Sequence, residues 1–400
     1  MTIEERIRKI ISISKHTVAY SAVNIEDCAI DDYPILYKES IVHNAKKYYS
    51  NIADSITRDN ILKVRTSGSS GIPLNIYWNK DDYLKSMHEL WKRRNKYYGI
   101  SAIDKKLSFN YASKGHSIYS IISNNIDFDK IVLYDEKYFN EVYETINCFQ
   151  PKWIYIKPHL FKLLYHQLKK HNLNLPHSIK YIEFVGENID SNEEDYYRNV
   201  LHVYIANMYG SEEMNGIAYE CPHHRMHIIQ ENVFAEIQNI DNNEIQSYGN
   251  GMIILTNLHN RFMPLIRYYQ GDCVNIEPLT EVCDCGSSDP IITQIHGRSN
   301  ELFKFNNKIV STALLCEIMN DTNYMLSYPI VQYVFIYHKM KKQLELILQL
   351  NNDFNNWKKV ISETCIKNIS ARIGHIDILV KYEAISCNEN NKLCLLKIED

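Results

Sequence analysis

Apolar positions recur along the chain in two periods, which predict where helices and strands lie. Near the N-terminus, Ile7, Ile10 and Ile11 fall on one face of a helix. Between residues 106 and 208, strand-length apolar runs at 107–111, 131–134, 153–156, 181–185 and 204–208 alternate with helical stretches at 138–148 and 160–170. Such alternation predicts a mostly parallel α/β sheet, which binds ligands at the carboxyl ends of its strands.

The segments on either side of this stretch have different patterns. Upstream, Asn79 is placed to cap a helix whose apolar stripe predicts core packing. The stripe consists of Tyr83, Met87, Leu90, Trp91 and Tyr98. Downstream, residues 215–297 are β-rich, with turn signals at 241–243 and 249–251.

Length, composition and charge narrow the class of protein. A chain of 400 residues exceeds what one core usually organises, so we expect a large domain with a smaller companion. The formal net charge of −4 provides no basic surface for nucleic acid or an anionic membrane. No apolar run approaches the roughly 20 residues of a membrane helix and no export signal is evident, so we expect a cytoplasmic protein. The ten cysteines are expected to be mostly reduced thiols.

A stretch rich in hydroxyl groups and glycine follows the strand-like residues 61–65. It consists of Thr66, Ser67, Gly68, Ser69, Ser70 and Gly71. Its glycines let the backbone approach an anion, and its hydroxyl and amide groups can donate to phosphate oxygens. A solvated loop has the same composition, and no Lys follows the second Gly as it does in a Walker loop. Any cation that neutralises a bound phosphate therefore has to come from elsewhere in the chain.

Polar residues follow the predicted strands where a parallel sheet binds ligands. Gly186 and Glu187 follow one strand, and the run from Tyr209 to Glu213 follows the next. Further along, a predicted strand leads to Gly271 and Asp272. Each segment can present a carboxylate to a ligand. Solvated acids, and an ordinary turn at the Gly–Asp pair, explain the same residues.

Two pairs of metal-binding side chains lie in or beside the β-rich segment. Cys221 with His227, and Cys283 with Cys285, together supply four ligands for tetrahedral zinc. Such a site is structural, because four protein ligands leave no position for water. Free thiols are the alternative, since a single residue between two cysteines is less diagnostic than two. Other imidazoles close in sequence are His223 and His224.

Five segments follow one another along the chain: TSGSSGIPL at 66–74, VGEN at 185–188, NMYGSEEMNGIAYEC at 207–221, PLIRYYQGD at 264–272 and CDCGSSDPIITQIHGRSNELF at 283–303. In this order they resemble the motifs of the adenylate-forming superfamily, specifically its branch related to phenylacetate-coenzyme A ligase and the CapK-type proteins. The resemblance covers most of the chain. It implies a large N-terminal α/β domain, residues 1–298, with mostly parallel sheets, helices and a β-rich subdomain. It also implies a small mobile α+β domain, residues 299–400.

The residue pattern of the small domain agrees with this expectation. Helices are predicted at 311–319 and 355–369, and strands at 331–337, 343–349 and 376–380. The segment NENNKLCLLKIED looks like the family's Gly–Lys turn, so Lys392 is the candidate for the family's adenylation lysine, with Lys397 in reserve. The departures from the family pattern are Asn391 for the glycine of that turn, Asn300 for the hinge acid and Glu212 for a hydroxyl residue.

The resemblance implies further roles for individual residues. The stretch from Thr66 to Gly71 holds the ATP phosphates, Glu213 holds magnesium, and Asp272 and Arg298 bind ribose hydroxyls. Further nucleotide-binding residues are Gly186, Glu187, Asn207, Met208, Tyr209 and Gly210. The catalytic set is Lys392, Glu213 and Arg298. Because adenylation brings two anions together, a metal, backbone donors and a cation are the groups that the chemistry needs.

The implied reaction is ATP-dependent activation of a carboxylic acid to an acyl-adenylate, followed by acyl transfer. Coenzyme A is the first expected acceptor; the alternatives are a carrier thiol, an amine or a hydroxyl in natural-product biosynthesis, and a degenerate non-catalytic relative that binds a nucleotide or a partner. An aryl acid suits the residues expected around its pocket, which core packing explains equally: Phe109, Asn110, Tyr111, Tyr155, Phe184 and Val185. The expected cofactors are ATP, Mg²⁺ and structural Zn²⁺; no nucleic acid or membrane partner is expected, and a homodimer is left open.

Overall fold

The computed structural model describes most of the chain, in two compact units. The described ranges are 2–23, 29–51, 60–66, 74–111, 117–187, 189, 191–240, 242–298, 302–305, 308–327, 329–385 and 395–400. Outside them lie the predicted site residues Ser67, Gly68, Ser69, Ser70, Gly71 and Lys392, together with the side chain of Tyr111. The first unit comprises 1–189, 194–270 and 275–293, and the second comprises 190–193, 271–274 and 294–400. The domain boundary expected after residue 298 stays a prediction.

Helices form the N-terminus, the crossovers of the first unit and part of the second. They are α1 (Ile3–Ser14), α2 (Lys38–Val42), α3 (Lys80–Tyr98), α4 (Ile131–Tyr134), α5 (Phe139–Phe149), α6 (Pro158–Lys170), α7 (Ser191–Leu201), α8 (Thr312–Met325) and α9 (Lys358–Ile373). Short 3₁₀ helices lie at Ile30–Asp32, Ala45–Tyr48, Glu136–Tyr138 and Asn352–Trp357. In the described part of the chain, no helix combines the length and the apolarity that a bilayer crossing needs.

Strands form one large sheet and several smaller ones. They are β1 (Ile61–Arg65), β2 (Asn75–Asn79), β3 (Lys106–Tyr111), β4 (Tyr119–Ile122), β5 (Asn125–Asp129), β6 (Trp153–Ile156), β7 (Tyr181–Val185), β8 (Tyr204–Ser211), β9 (Asn215–Glu220), β10 (Met226–Ile228), β11 (Val233–Gln238), β12 (Ile245–Gln246), β13 (Gly249–Asn257), β14 (Tyr268–Glu277), β15 (Ile291–Arg298), β16 (Leu302–Phe305), β17 (Lys308–Ser311), β18 (Ile330–His338), β19 (Gln343–Leu350), β20 (Asp377–Tyr382) and β21 (Leu396–Glu399). The large sheet has the order β12-β11-β13-β14-β15-β10-β9-β8-β7-β6-β3-β5-β4. The hairpins β1-β2 and β16-β17 are separate from it.

The predicted parallel core is confirmed in the middle of the large sheet. Strands β5, β3, β6, β7 and β8 are parallel neighbours. One hydrophobic cluster includes residues of these strands and of α5 and α6, and a second joins the sheet to α3. Every residue of β7 is buried, as expected of a strand that is covered on both faces. These strands therefore end at one edge, where Gly186 and Glu187 follow β7. The segment from Tyr209 was predicted to follow β8, but this strand continues to Ser211, so Tyr209 and Gly210 belong to it.

Helix α3 forms as predicted and packs on the sheet. The Asn79 side chain accepts hydrogen bonds from the backbone N–H groups of Asp81 and Asp82 at 2.9 and 3.4 Å, which caps the first turn. Gly99 ends the helix in the left-handed region with φ 63°. The predicted stripe faces the core, where Leu90 and Tyr98 are buried against strands β6 to β9.

The strand predicted at 131–134 is wrong, because these residues form the short helix α4. A four-residue apolar run has no period that separates a buried strand from a helix. The Asp129 side chain accepts a hydrogen bond from the Ile131 N–H at 3.0 Å and thereby favours a helical start. The strand here is the preceding β5, in which apolar Ile126 and Phe128 alternate with polar residues and are fully buried.

The second unit contains the predicted α+β arrangement. Strands β18 and β19 pair antiparallel, and β21 and β20 add parallel strands on either side. Leu315 of α8 and Ile361 and Ile369 of α9 pack into the apolar cluster of this sheet. The strand β21 and the hairpin β16-β17 were not predicted. Lys397, the reserve lysine, lies on β21 opposite Ile336.

Candidate functional site

Thr66 closes the base of the β1-β2 hairpin. Its backbone N–H donates to the Leu74 carbonyl at 2.9 Å, and its side-chain oxygen accepts from the Leu74 N–H at 2.8 Å. The Thr66 side chain is buried, so these two bonds fix the ends of the segment between them. That segment contains the predicted phosphate-binding residues, which lie outside the described residues.

The Gly186–Glu187 turn follows β7 and pairs with the start of helix α6. Gly186 adopts φ 73°, a conformation that glycine tolerates best. His159, in the first turn of α6, places Nδ1 2.6 Å from Oε2 of Glu187. His159 was not predicted, although the rule that ligand sites follow parallel strands points to it, because α6 begins directly after β6.

Asn207 lies on β8 within a network of charged side chains. Its Nδ2 donates to Glu194 at 2.9 Å and to Glu220 at 2.6 Å, and its backbone N–H donates to Glu220 at 2.8 Å. Arg198 pairs with both carboxylates. Burial, followed by the charge of Glu220, raises the pKa of Glu194 to about 7. The Asn207 amide nitrogen is therefore bound by two carboxylates of the protein.

The loop between β8 and β9 positions Glu213. Gly210, near the end of β8, leaves no room for a side chain, because a Cβ at this position would lie 2.5 Å from the Asn215 carbonyl oxygen. The Glu213 side chain is buried and accepts a hydrogen bond from the Tyr268 hydroxyl at 3.0 Å. Its carbonyl accepts from Asn257 Nδ2 at 2.9 Å. Glu213 is thus held by both its main chain and its side chain.

Asp272 and Arg298 form an ion pair in the second unit. Arg298 Nε lies 2.8 Å from Asp272 Oδ1, and the carboxylate is 9% exposed. The two residues expected at the ribose are thus brought together. Gly271 and Asp272 lie inside β14, so the turn that was the alternative for them is wrong.

The residues expected around an acid pocket have different surroundings. Phe109 and Phe184 are fully buried in the core cluster beneath α5 and α6, as the core-packing alternative states. Asn110 is exposed, Tyr155 is half-buried and Val185 is buried at the end of β7. Their role in binding an acid stays a prediction.

Cys221, His227, Cys283 and Cys285 converge on one point. Their ligand atoms all lie within 4.8 Å of one another. The sulfurs of Cys221 and Cys283 are 3.9 Å apart, and Cys285 Sγ lies 3.4 Å from His227 Nε2. Zinc bonds of about 2.3 Å to sulfur and about 2.0 Å to nitrogen, at tetrahedral angles, place two sulfurs about 3.8 Å apart and a sulfur and a nitrogen about 3.5 Å apart. The four residues fit a zinc ion.

Neighbouring groups orient these candidate ligands. His227 Nδ1 lies 3.1 Å from the Asp289 carbonyl, so Nδ1 carries the proton and Nε2 is the atom that would coordinate a metal. Burial raises the pKa of the Cys221 thiol to about 12. Burial also raises the pKa of Cys285, but hydrogen bonds, the first from Tyr97, lower it overall.

The neighbouring imidazoles point to other partners. His224 Nδ1 lies 3.1 Å from Glu220 Oε1. His223 Nδ1 is 4.0 Å from the carboxylate of the exposed Asp284. His227 is therefore the imidazole of the cluster.

Sequence comparison gives one partial match to a curated protein. No protein-family model matches the chain. Over 107 residues, the chain is 31% identical to the phenylacetate-coenzyme A ligase of Thermus thermophilus. The matched segment covers 26% of this chain and 24% of that protein. The chain thus matches about a quarter of the length of this relative.

Structural comparison matches the whole chain. A 2-hydroxyisobutyryl-CoA ligase in the postadenylation state, in complex with 2-HIB-AMP, has a TM-score of 0.75 at 15% identity, over 100% of this chain and 89% of that chain. An anthranilate CoA ligase with anthranoyl-AMP scores 0.58 at 12% identity, over 84% and 66%. An acyl acid amido synthetase scores 0.58 at 12% identity, over 95% and 85%. The chain therefore has the fold of these ligases, and the predicted resemblance to phenylacetate-coenzyme A ligase is confirmed over the 107 matched residues.

Proposed function

We propose that this protein activates a carboxylic acid, most simply an aryl acid, with ATP and transfers the acyl group to coenzyme A. The observation that carries the proposal is the match of the entire chain to a CoA ligase in complex with 2-HIB-AMP. The partial sequence similarity to a phenylacetate-coenzyme A ligase supports the same reaction class.

Specific residues then divide the work of binding ATP. The stretch from Thr66 to Gly71 binds the phosphates with backbone and hydroxyl donors. Asp272, held by Arg298 at 2.8 Å, accepts hydrogen bonds from the ribose hydroxyls. The remaining nucleotide contacts come from Gly186, Glu187, Asn207, Met208, Tyr209 and Gly210.

Adenylation joins two anions, and the protein has to balance their charge. The substrate carboxylate attacks the α-phosphorus of ATP, and pyrophosphate leaves. The stretch from Thr66 to Gly71 contains no cationic side chain. Lys392 is the candidate for the missing cation, and in this role it binds the oxygens that gain negative charge in this step. Glu213, which is held by Tyr268 and Asn257, is our candidate ligand for magnesium, which supplies charge neutralisation when bound.

Cys221, His227, Cys283 and Cys285 hold a structural zinc ion in this proposal. The support is the fit of the sulfur and nitrogen separations to tetrahedral coordination. With four protein ligands, the ion has no open position for a substrate. Its effect is to join the segment after β9 to the segment before β15.

The test is carboxylate-dependent exchange of labelled pyrophosphate into ATP, measured over a panel of benzoic, phenylacetic and small hydroxy acids. Exchange with at least one acid is expected. A folded protein that binds ATP but exchanges with none of them would instead be the degenerate nucleotide-binding relative, a reading that Asn300, Asn391 and Glu212 suggest.

A second candidate reaction is amide formation. The fold match to an acyl acid amido synthetase, over 95% of this chain, supports an amine as the alternative acceptor. Mass spectrometry of the product formed with coenzyme A or with amines distinguishes the two candidates. An amide and no thioester would select the second.

A further inference from the structure

His159 and Glu187 form a carboxylate–imidazole pair at the edge of the large sheet. Nδ1 of His159 lies 2.6 Å from Oε2 of Glu187. The two side chains are 18% and 25% exposed, so neither is a solvated surface group. The pair joins two elements that follow adjacent parallel strands, because α6 begins after β6 and the Gly186 turn follows β7.

The partner of Nδ1 determines the chemistry of Nε2. An ionised carboxylate can only accept hydrogen bonds, so Nδ1 of His159 carries the proton. Nε2 of the neutral ring then carries a lone pair and can take a proton. A carboxylate that orients an imidazole in this way is the arrangement by which enzymes turn histidine into a general base.

The lone-pair nitrogen has no protein partner. Nε2 of His159 is sheltered from solvent and makes no hydrogen bond in the part of the chain that the structure describes. A buried polar atom without a partner is uncommon and is often explained by a ligand or a catalytic role. A donor group on a bound molecule supplies what this atom lacks.

The position of the pair is where a second substrate would approach. The carboxyl ends of β6, β7 and β8 lie at the same edge of the sheet, since these strands are parallel neighbours. His159, in the first turn of α6, follows β6, and Glu187 follows β7. The end of β8 and the loop after it carry the Tyr209–Glu213 segment. The ligand sites of parallel sheets lie at this edge.

We propose that His159 is the general base of acyl transfer and that Glu187 is its positioning residue. This inference rests on the proposed function. The nucleophilic S, N or O atom of the acceptor attacks the acyl carbon of the adenylate, the bond from that carbon to the phosphate oxygen breaks, and AMP leaves with the electron pair. The proton of the acceptor S–H, N–H or O–H moves to Nε2 of His159. Acyl-adenylate and acceptor thus give acyl product, AMP and one proton.

Synthetic benzoyl-adenylate, supplied directly, tests the transfer step without adenylation. AMP release is measured after coenzyme A or a primary aliphatic amine is added to the wild type and to His159→Ala. A general base contributes roughly 10²- to 10⁴-fold, so we expect at least a hundredfold loss in His159→Ala. Added imidazole should restore part of the rate, which a merely structural histidine would not allow.

Two further variants separate the roles. Glu187→Gln keeps an acceptor for Nδ1 but removes the charge, and we expect a smaller loss of transfer without rescue by imidazole. His166→Ala changes an exposed histidine on the same helix and should transfer at the wild-type rate.

Several outcomes would overturn the role of the pair: unchanged transfer in His159→Ala, a loss that imidazole does not relieve, or a wild type that transfers benzoyl to neither acceptor. Absence of pyrophosphate exchange, with transfer from the synthetic adenylate intact, would reject the proposed adenylation and leave the role of His159 supported.

Discussion

Two parts of the molecule are organised in opposite ways. One is the cluster of Cys221, His227, Cys283 and Cys285, and the other is the edge of the large sheet at which the parallel strands β6, β7 and β8 end. In the cluster, four ligand atoms from two segments of the chain, 221–227 and 283–285, lie within 4.8 Å of one another. At the edge, the candidate residues are held by different protein partners. Glu187 pairs with His159, Asn207 with two carboxylates, and Glu213 with Tyr268.

We interpret this difference as that between a proposed metal site, which would stabilise the fold, and a proposed site of substrate binding. A structural metal needs its ligands at one point, so the geometry is complete when the strands that carry them are in place. A nucleotide and an acyl group are larger than an ion, so their ligands are spread over several loops and held by second partners. Changes in the cluster should therefore affect stability, and changes at the edge should affect rate.

The largest expected effect is loss of the zinc ligands. We expect Cys283→Ser combined with Cys285→Ser to reduce bound zinc from about one ion per chain to near zero, because two of the four ligands are gone. Structural zinc contributes many kcal/mol to folding where it is bound, so Tm should fall by on the order of 10 °C. Metal analysis and thermal unfolding measure both effects.

Cys148→Ser is the matched control, because Cys148 is exposed and outside the cluster. It should leave metal content and Tm unchanged. If the wild-type protein is fully stable without zinc, the cluster is a set of free thiols and not a structural metal site, which would contradict the proposed contrast with the sheet edge.

The cluster and the parallel core were the parts most open to prediction from sequence. Paired cysteines indicate a metal site more clearly than most sequence patterns do. The sequence left three histidines as candidates for the fourth ligand, and only the structure distinguishes them, since His224 contacts Glu220 instead. The alternating runs predicted β6, β7 and β8 because these runs are mainly apolar, with Glu183 in β7 and Asn207 in β8 as the exceptions. The run at 131–134 was wrongly predicted to be a strand, because four residues are too few to show a periodic pattern.

The partners of the edge residues could not be predicted. The pairing of His159 with Glu187 joins residues 28 positions apart through the order of β6 and β7. The order of strands in the sheet is set by tertiary packing, and no local sequence pattern indicates it. The same holds for Tyr268 on Glu213, a contact over 55 positions.

Lys392→Ala should give the next largest effect, on rate and not on stability. Removing one preorganised charge that stabilises a transition state costs about 10²- to 10³-fold. Pyrophosphate exchange should fall by this factor while Tm stays within about 2 °C of wild type. Lys397→Ala is the control, on a strand paired with β18. If Lys397→Ala loses exchange instead, the adenylation lysine is reassigned.

Asp272→Asn should have a smaller effect that appears in nucleotide binding. Hydrogen bonds to a charged group contribute about 1.5–3 kcal/mol, so the KM for ATP should rise roughly 10- to 100-fold. Asp284→Asn, an exposed acid whose side chain is 86% accessible, should leave KM unchanged. A change in kcat with constant KM would show that Asp272 acts in the chemical step and not in ribose binding.

Thr66→Val should have the smallest effect and tests how strictly stability and rate separate. The substitution keeps the shape of the side chain but removes the oxygen that accepts from the Leu74 N–H at 2.8 Å. A buried N–H without a partner costs about 1 kcal/mol or somewhat more, so Tm should fall by about 2–4 °C.

Thr66→Ser retains the oxygen and should restore Tm, which attributes the loss to the hydrogen bond. The same bond fixes one end of the predicted phosphate-binding segment. If Thr66→Val also raises the KM for ATP several-fold while Thr66→Ser does not, this one contact serves the fold and the ligand together. In that case, stability and rate are affected separately only by changes to side chains that touch a ligand. A change to a residue that anchors a ligand-binding loop, such as Thr66, affects both.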